Sequence, residues 1–148
     1  MTEVKCSEDY STIKELFLEY SQIKGAEGCF ISFDKELADL KKFYSGGAIL
    51  VGYEDEEPFG CIAIKKVDDD TAEAKRLYIK SKYRGKGYSR IMLNSMISKA
   101  RELGYNDICF TTRPDVMEVA YNLYKRMEFE ETGYDNGVVS MKIVLTWL

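Results

Sequence analysis

Between Lys80 and Arg90 the chain sets Lys80, Lys82, Arg84, Lys86 and Arg90 around Gly85 and Gly87, with no acidic residue among them. Glycine lacks a Cβ, so its backbone can approach a ligand closely and adopt left-handed conformations. A helical pattern starts at Tyr88, and the free N–H groups of a helix's first turn, aided by the helix dipole, attract anions. In a chain of formal net charge -4, these local cations point to a small polyanionic ligand; a basic surface turn is the alternative. Two phosphate-binding patterns are excluded. Arg90 stands where G-x-G-x-x-G needs its third glycine, and the Gly-Lys-Ser/Thr ending of a P-loop is missing. The chain has no histidine, which excludes Ser-His-Asp and Cys-His catalysis and any His-ligated metal. Proton transfer then falls to Glu, Asp, Tyr, Lys, Cys or water. Cys6, Cys29, Cys61 and Cys109 are scattered without a C-x-x-C pair and read as reduced, mostly buried thiols.

The elements that position this turn follow from periodicity. A strand is expected over 2–6. Ser7 then caps a helix with Ile13, Leu16, Phe17, Tyr20 and Ile23 at helical spacing. A shorter helix follows Asp34, with Leu37, Leu40 and Phe43 on one side, and Gly46-Gly47 breaks it. Strand-like runs at 48–53, 59–67 and 71–79, separated by polar turns at 54–58 and 68–70, predict an antiparallel meander. Tyr88, Met92, Met96, Ala100 and Leu103 mark a helix ended by Gly104. A strand follows over 106–112, and Asp115 caps a helix with Val116, Val119, Ala120, Leu123 and Met127 inward. Runs at 129–134 and 138–145 around Asp135-Asn136-Gly137 close a hairpin. Both prolines, Pro58 and Pro114, fall at expected element boundaries. The order predicts an α/β (α+β) fold: a mixed, mostly antiparallel sheet of about seven strands flanked by about four helices, with a parallel crossover over 71–112.

Glu73-Ala-Lys-Arg-Leu-Tyr-Ile79, Lys82-Tyr-Arg-Gly-Lys-Gly87, Ala120-Tyr-Asn-Leu-Tyr124 and Phe129 together resemble the GNAT (Gcn5-related N-acetyltransferase) superfamily. The match is specific over 71–133. Lys82 stands where the family has Gln or Arg, Ser89 replaces a frequent Gly or Ala, Met117 replaces an Asn and Glu128 a Gly. In the family that Asn makes a cofactor hydrogen bond, which the change to Met117 would put in doubt.

The resemblance implies acetyl-CoA as co-substrate and no metal. Leu77, Tyr78 and Ile79 would offer backbone groups to the pantetheine arm as an added strand would. Lys82, Tyr83, Arg84, Gly85, Lys86, Gly87, Tyr88 and Ser89 would hold the pyrophosphate. An amine would attack the acetyl carbonyl, backbone N–H groups would stabilise the oxyanion, and CoA would leave as a thiol. Tyr124 would protonate the departing sulfur, with Tyr121, counted with the cofactor-binding set, as the alternative phenol. Glu73 would take the ammonium's proton or simply pair with Lys75 or Arg76. On strict alternation Glu73 shares a face with Lys75, Leu77 and Ile79. Arg76 lies on the other face, where an acidic helix residue would pair with it. Arg113 would bind a substrate carboxylate or face solvent.

The expected reaction is acetyl transfer to a primary amine on a small or amino-acid-like molecule. A protein N-terminus or lysine, and a non-catalytic acyl-CoA sensor, are the rivals. Phe17, Tyr20, Phe30, Phe33 and Tyr44 either wall the acceptor site or pack helices onto the sheet. With 148 residues one domain over 1–148 is expected. The net charge argues against nucleic acid, and the lack of a long apolar run or signal pattern argues against a membrane and for the cytoplasm. The apolar end over 143–148 fits a core strand or a homodimer seam.

Overall fold

A computed structural model describes residues 1–23, 30 and 32–145. Cys29 and residues 146–148 of the apolar end lie outside the described residues. The elements are β1 (Thr2–Cys6), α1 (Tyr10–Ser21), α2 (Phe33–Ala38), α3 (Leu40–Phe43), β2 (Ala48–Glu54), β3 (Glu57–Lys66), β4 (Thr71–Ile79), α4 (Tyr88–Glu102), β5 (Asp107–Thr112), α5 (Glu118–Arg126), β6 (Glu130–Asp135) and β7 (Val138–Val144). The strands form one sheet in the order β1-β2-β3-β4-β5-β7-β6. Only β4 and β5 run parallel; every other neighbouring pair is antiparallel. This is the mixed sheet that the periodicity predicts.

Both faces of the sheet are covered, which is why its central strands are apolar along their length rather than alternating. On one face Leu50, Ile62, Ile64 and Ala72 pack with Met92, Leu93 and Met96 of α4 and Leu123 and Tyr124 of α5. On the other, Ile49, Val51, Cys61 and Ala63 pack with Ile13, Leu16, Phe17 and Tyr20 of α1 and with Leu40 and Tyr44. Among the described residues no helix is long and apolar enough to cross a membrane.

Several expectations shift, each for a local reason. Asp9, not Ser7, caps α1, its carboxylate accepting from the Thr12 N–H at 3.2 Å. The helix after Asp34 is two helices. Asp39 leaves helical space (φ -152°, ψ 79°), and its side chain accepts from the Lys42 N–H to start α3. This is the usual way an Asp side chain competes with the helix backbone. The 54–58 turn shrinks to Asp55-Glu56, both at positive φ. Pro58 therefore sits inside β3, next to the register shift at Gly52/Tyr53, where a missing donor is tolerated. Helix α5 starts at Glu118, not after Asp115, and Val119 is 83% exposed rather than inward.

The departure with most consequence is in β4. Cys61 pairs with Tyr78 and Ala63 with Lys75, so Arg76 and Leu77 together oppose Ile62. This is a β-bulge, and Arg76 occupies its left-handed position at φ 61°. The bulge resets the alternation. Ala72, Ala74, Leu77 and Ile79 all face the α4 side, while Arg76 and Tyr78 pack on the α1–α3 side. The expected face shared by Glu73, Lys75, Leu77 and Ile79 does not form, and Arg76 lies on the same side as Glu73.

Candidate functional site

β4 and β5 pair over only three positions, Thr71↔Asp107 to Glu73↔Cys109. Beyond them β4 stays with β3 as far as Ile79↔Gly60, and β5 stays with β7 as far as Thr112↔Val139. The sheet therefore opens between two strands that remain laddered on their outer sides. The edge of β4 from Ala74 to Ile79 is left without a strand partner toward β5, at the bulge that bends it.

The glycine turn lies at the end of this edge. Gly85 (φ 76°) and Gly87 (φ 85°) take backbone conformations that favour glycine. A Cβ built on either would meet no atom within 4 Å, so open space stands over both. Gly87 is the N-cap of α4, with no side-chain cap and no acidic residue in the first turn. The N–H groups of Tyr88, Ser89 and Arg90 are thus left to an external acceptor. The five cations divide. Lys80 pairs with Glu19 at 3.5 Å and Lys82 with Glu57 at 3.3 Å. The Arg84 Nε donates to the Ile79 carbonyl at 2.8 Å. Lys86 and Arg90 have no ion pair among the described residues. The tyrosines support the turn from beneath: Tyr83 and Tyr88 pack on Phe59, and their hydroxyls donate to Glu57 (3.1 Å) and Glu54 (2.8 Å). These features fit a phosphate-bearing ligand whose arm continues along β4.

The opening leads into a cleft of about 160 Å³, lined by Glu73, Lys75, Leu77, Arg113, Met117 and Tyr124, among others, with Ile62, Leu93 and Phe110 also in its wall. Tyr124 and Glu73, expected from the resemblance, thus meet in one cavity. Tyr124 is held edge-on by Phe110 (4.3 Å between ring centroids) and Phe129 (6.0 Å). Burial first, and then the neighbouring Tyr20 phenol, hold the Tyr124 hydroxyl well above the ordinary tyrosine value. That hydroxyl finds no hydrogen-bond partner among the described residues. It is a protonated donor waiting for an acceptor. Glu73 has Lys75 Nζ at 4.0 Å, the outer limit of an ion pair. Tyr121 lies elsewhere: its hydroxyl donates to Glu131 and Lys125 stands over its ring at 4.6 Å. Tyr78 contributes its strand backbone to the β4 edge, while its side chain stacks on Tyr20 and donates to Glu19 at 3.1 Å.

One position was not foreseen. Glu36, 1% exposed, receives Arg76 through two bonds (Nε–Oε2 3.0 Å, Nη2–Oε1 2.7 Å) and the Tyr44 hydroxyl at 2.7 Å. It is the acidic helix partner that Arg76 was expected to have, and it fixes the bulge. Its signal was a carboxylate set on the apolar stripe Phe33, Leu37, Leu40 of an otherwise ordinary helix pattern. Tyr20 lines the cleft and donates to Met117 Sδ at 3.5 Å, whereas Phe17 and Tyr44 are buried core. Met117, at the N-cap of α5, lines the same cleft. Among the described residues no group of three His, Cys, Asp or Glu side chains is placed to hold a metal ion.

A parallel pair that parts beside a glycine turn, with a phenol in the gap, is the arrangement that the resemblance to acetyltransferases implies. The model of the acetyltransferase (GNAT) family matches residues 11–129, and the chain belongs to that family. An uncharacterized N-acetyltransferase of Schizosaccharomyces pombe is 29% identical over 155 aligned positions, covering 99% of this chain and 94% of that one. N-acetyltransferase 8B of Homo sapiens is 26% identical, covering 70% of this chain and 48% of its own length. The chain thus spans about half the length of this human relative. The crystal structure of Campylobacter jejuni N-acetyltransferase PseH in complex with acetyl coenzyme A has the same fold (TM-score 0.71, 24% identity, 97% and 99% of the two chains).

Proposed function

We propose that the chain transfers the acetyl group of acetyl-CoA directly to the primary amine of a small or amino-acid-like molecule. The observation that carries this reading is the unpartnered Tyr124 phenol, buried in the cleft where β4 and β5 part. Gly85, Lys86, Gly87 and the first turn of α4 hold the pyrophosphate, with Lys82, Tyr83 and Arg84 bracing the turn. The strand edge at Leu77, Tyr78 and Ile79 takes the pantetheine arm. The N–C bond forms and the C–S bond breaks; one proton leaves the amine and one reaches sulfur. Glu73 receives the first, directly or through water, and Tyr124 delivers the second. The high Tyr124 proton affinity keeps the donor loaded at the pH where the amine is free. Positioning in one cleft supplies much of the rate.

Thiol release from acetyl-CoA with a panel of amines, peptides and lysine side chains tests the reading. Tyr124→Phe is expected to lower kcat about 10²-fold, with acetyl-CoA affinity by calorimetry unchanged. Full kcat in that variant removes Tyr124 as the acid. Tight acetyl-CoA binding with no turnover on any amine favours a sensor, and preferred turnover of peptides favours the protein acceptor.

A further inference from the structure

Among the described residues, the charges that line the cleft do not balance. The charged side chains there are Glu73, Lys75, Arg76 and Arg113. Arg76 is neutralised by Glu36 at 2.7 Å, and Lys75 stands 4.0 Å from Glu73. Arg113 has no ion pair among the described residues, although it is half-buried. Its backbone is fixed: the Arg113 carbonyl accepts from the N–H groups of Val116 (3.1 Å) and Met117 (2.8 Å) in the turn before α5. Its side chain reaches the β6–β7 turn, with Nη1 3.6 Å from where a Cβ on Gly137 would stand. The guanidinium is therefore held between two turns at the cleft wall with its donors uncommitted to any carboxylate among the described residues.

A bare ammonium entering this cleft meets Arg113 as a like charge. An acceptor that carries its own anion meets it as a partner, and the planar guanidinium fork matches a carboxylate with two parallel hydrogen bonds. We infer that the acceptor is an amine bearing a free carboxylate, with Arg113 binding the carboxylate and Glu73 on the amine side. This rests on the amine-acetylation reading above and narrows it. A peptide N-terminus lacks the anion, because its first carboxyl group is already an amide.

The test compares the twenty amino acids with their carboxamides, which keep the shape and lose the charge. The carboxamide's amine is the weaker base, so chemistry alone favours the amide; an advantage for the acid comes from binding. The expected acid-over-amide ratio in kcat/KM is about ten- to a hundredfold, the worth of a charge-assisted hydrogen-bonded pair. Arg113→Gln is expected to collapse that ratio toward one through KM, and Arg113→Lys to recover part of it, since charge is kept and the fork is lost. Amides used as well as acids, or an Arg113→Gln effect equal on both, overturns the inference. If neither series releases thiol, the amine-acetylation reading fails separately. The carboxylate site is then read from the thermal shift that N-acetylamino acids and their amides give to CoA-loaded protein. A larger shift for the acids that Arg113→Gln abolishes supports the site, and equal shifts sink it.

Discussion

The glycine turn and the α1–α3 face of β4 border the same opening but are held in different ways. The turn is local. Its shape follows from two glycines at positive φ, the bare N-terminus of α4 and two tyrosines packed on Phe59. The face depends on distance in sequence: Arg76 meets Glu36 forty residues away, and its guanidinium lies over the Phe30 and Phe33 rings at 4.3 and 5.4 Å. There a non-glycine residue holds a left-handed bulge position at φ 61°, which costs about 1–2 kcal/mol. The buried pair holds it in place. The difference separates two kinds of damage. Changes in the turn should weaken ligand binding, and changes in the face should destabilise the fold that keeps the cleft open.

The largest effect is expected from Glu36→Ala, which leaves Arg76 buried without its carboxylate and Tyr44 without its acceptor. Removing one partner of a buried pair costs about 3–5 kcal/mol, read as a lower urea midpoint with an unchanged slope. A double replacement, Glu36→Leu with Arg76→Met, is expected to recover much of that loss, because apolar residues of similar volume need no pairing. A loss below about 1 kcal/mol in Glu36→Ala would place the face with ordinary surface contacts and erase the contrast.

A smaller and more selective effect is expected at the turn. Gly87→Ala forces alanine to φ 85°, and its Cβ would meet no protein atom within 4 Å. Its stability cost is then backbone strain alone, about 1–2 kcal/mol. Gly104, at the other end of α4, is a matched control, with φ 95° and equally open surroundings. Both alanine variants should lose similar stability. Only Gly87→Ala should weaken acetyl-CoA binding, by about tenfold or more, which calorimetry measures. Equal affinities in the two variants would deny the turn its ligand.

The contrast also explains what the sequence made legible. The sheet order and the turn follow from patterns within a few residues: apolar runs, polar turns, and the Gly85/Gly87 pair before a helical period. The bulge at Arg76 has no such signature, since left-handed bulge positions are usually marked by glycine. Strict alternation therefore put Glu73 on the wrong side relative to Leu77 and Ile79. Tyr124 and Glu73 came from the resemblance, and the splay after Glu73↔Cys109 brings them into one cleft. For Tyr20 and Arg113 the sequence left two readings open, cleft wall or core for one and carboxylate binder or solvent for the other, because their placement depends on where α1 and the β6–β7 turn end up; both line the cleft.

The smallest effect concerns how the turn is tied to its neighbour. Tyr88, the first residue of α4, donates to Glu54 at the end of β2, and the Thr2 hydroxyl donates to the same carboxylate. The Thr2 bond first, and then the Tyr88 bond, hold the Glu54 carboxyl down to about 2, from the ordinary 4.5. A carboxylate lowered in the folded state adds stability that is present above its unfolded value and lost as pH falls through the folded one. The Glu54 contribution should therefore disappear between about pH 4.5 and 2. Melting temperatures measured across that range should fall more steeply for the wild type than for Glu54→Gln, which cannot titrate. At neutral pH the variant should melt slightly lower, since Tyr88 and Thr2 then donate to a neutral amide. Because Glu54 is near the surface, solvent screens the effect and it stays small. Parallel curves would mean that α4 starts where it does without help from β2, and that the glycine turn is even more self-contained than its contacts suggest.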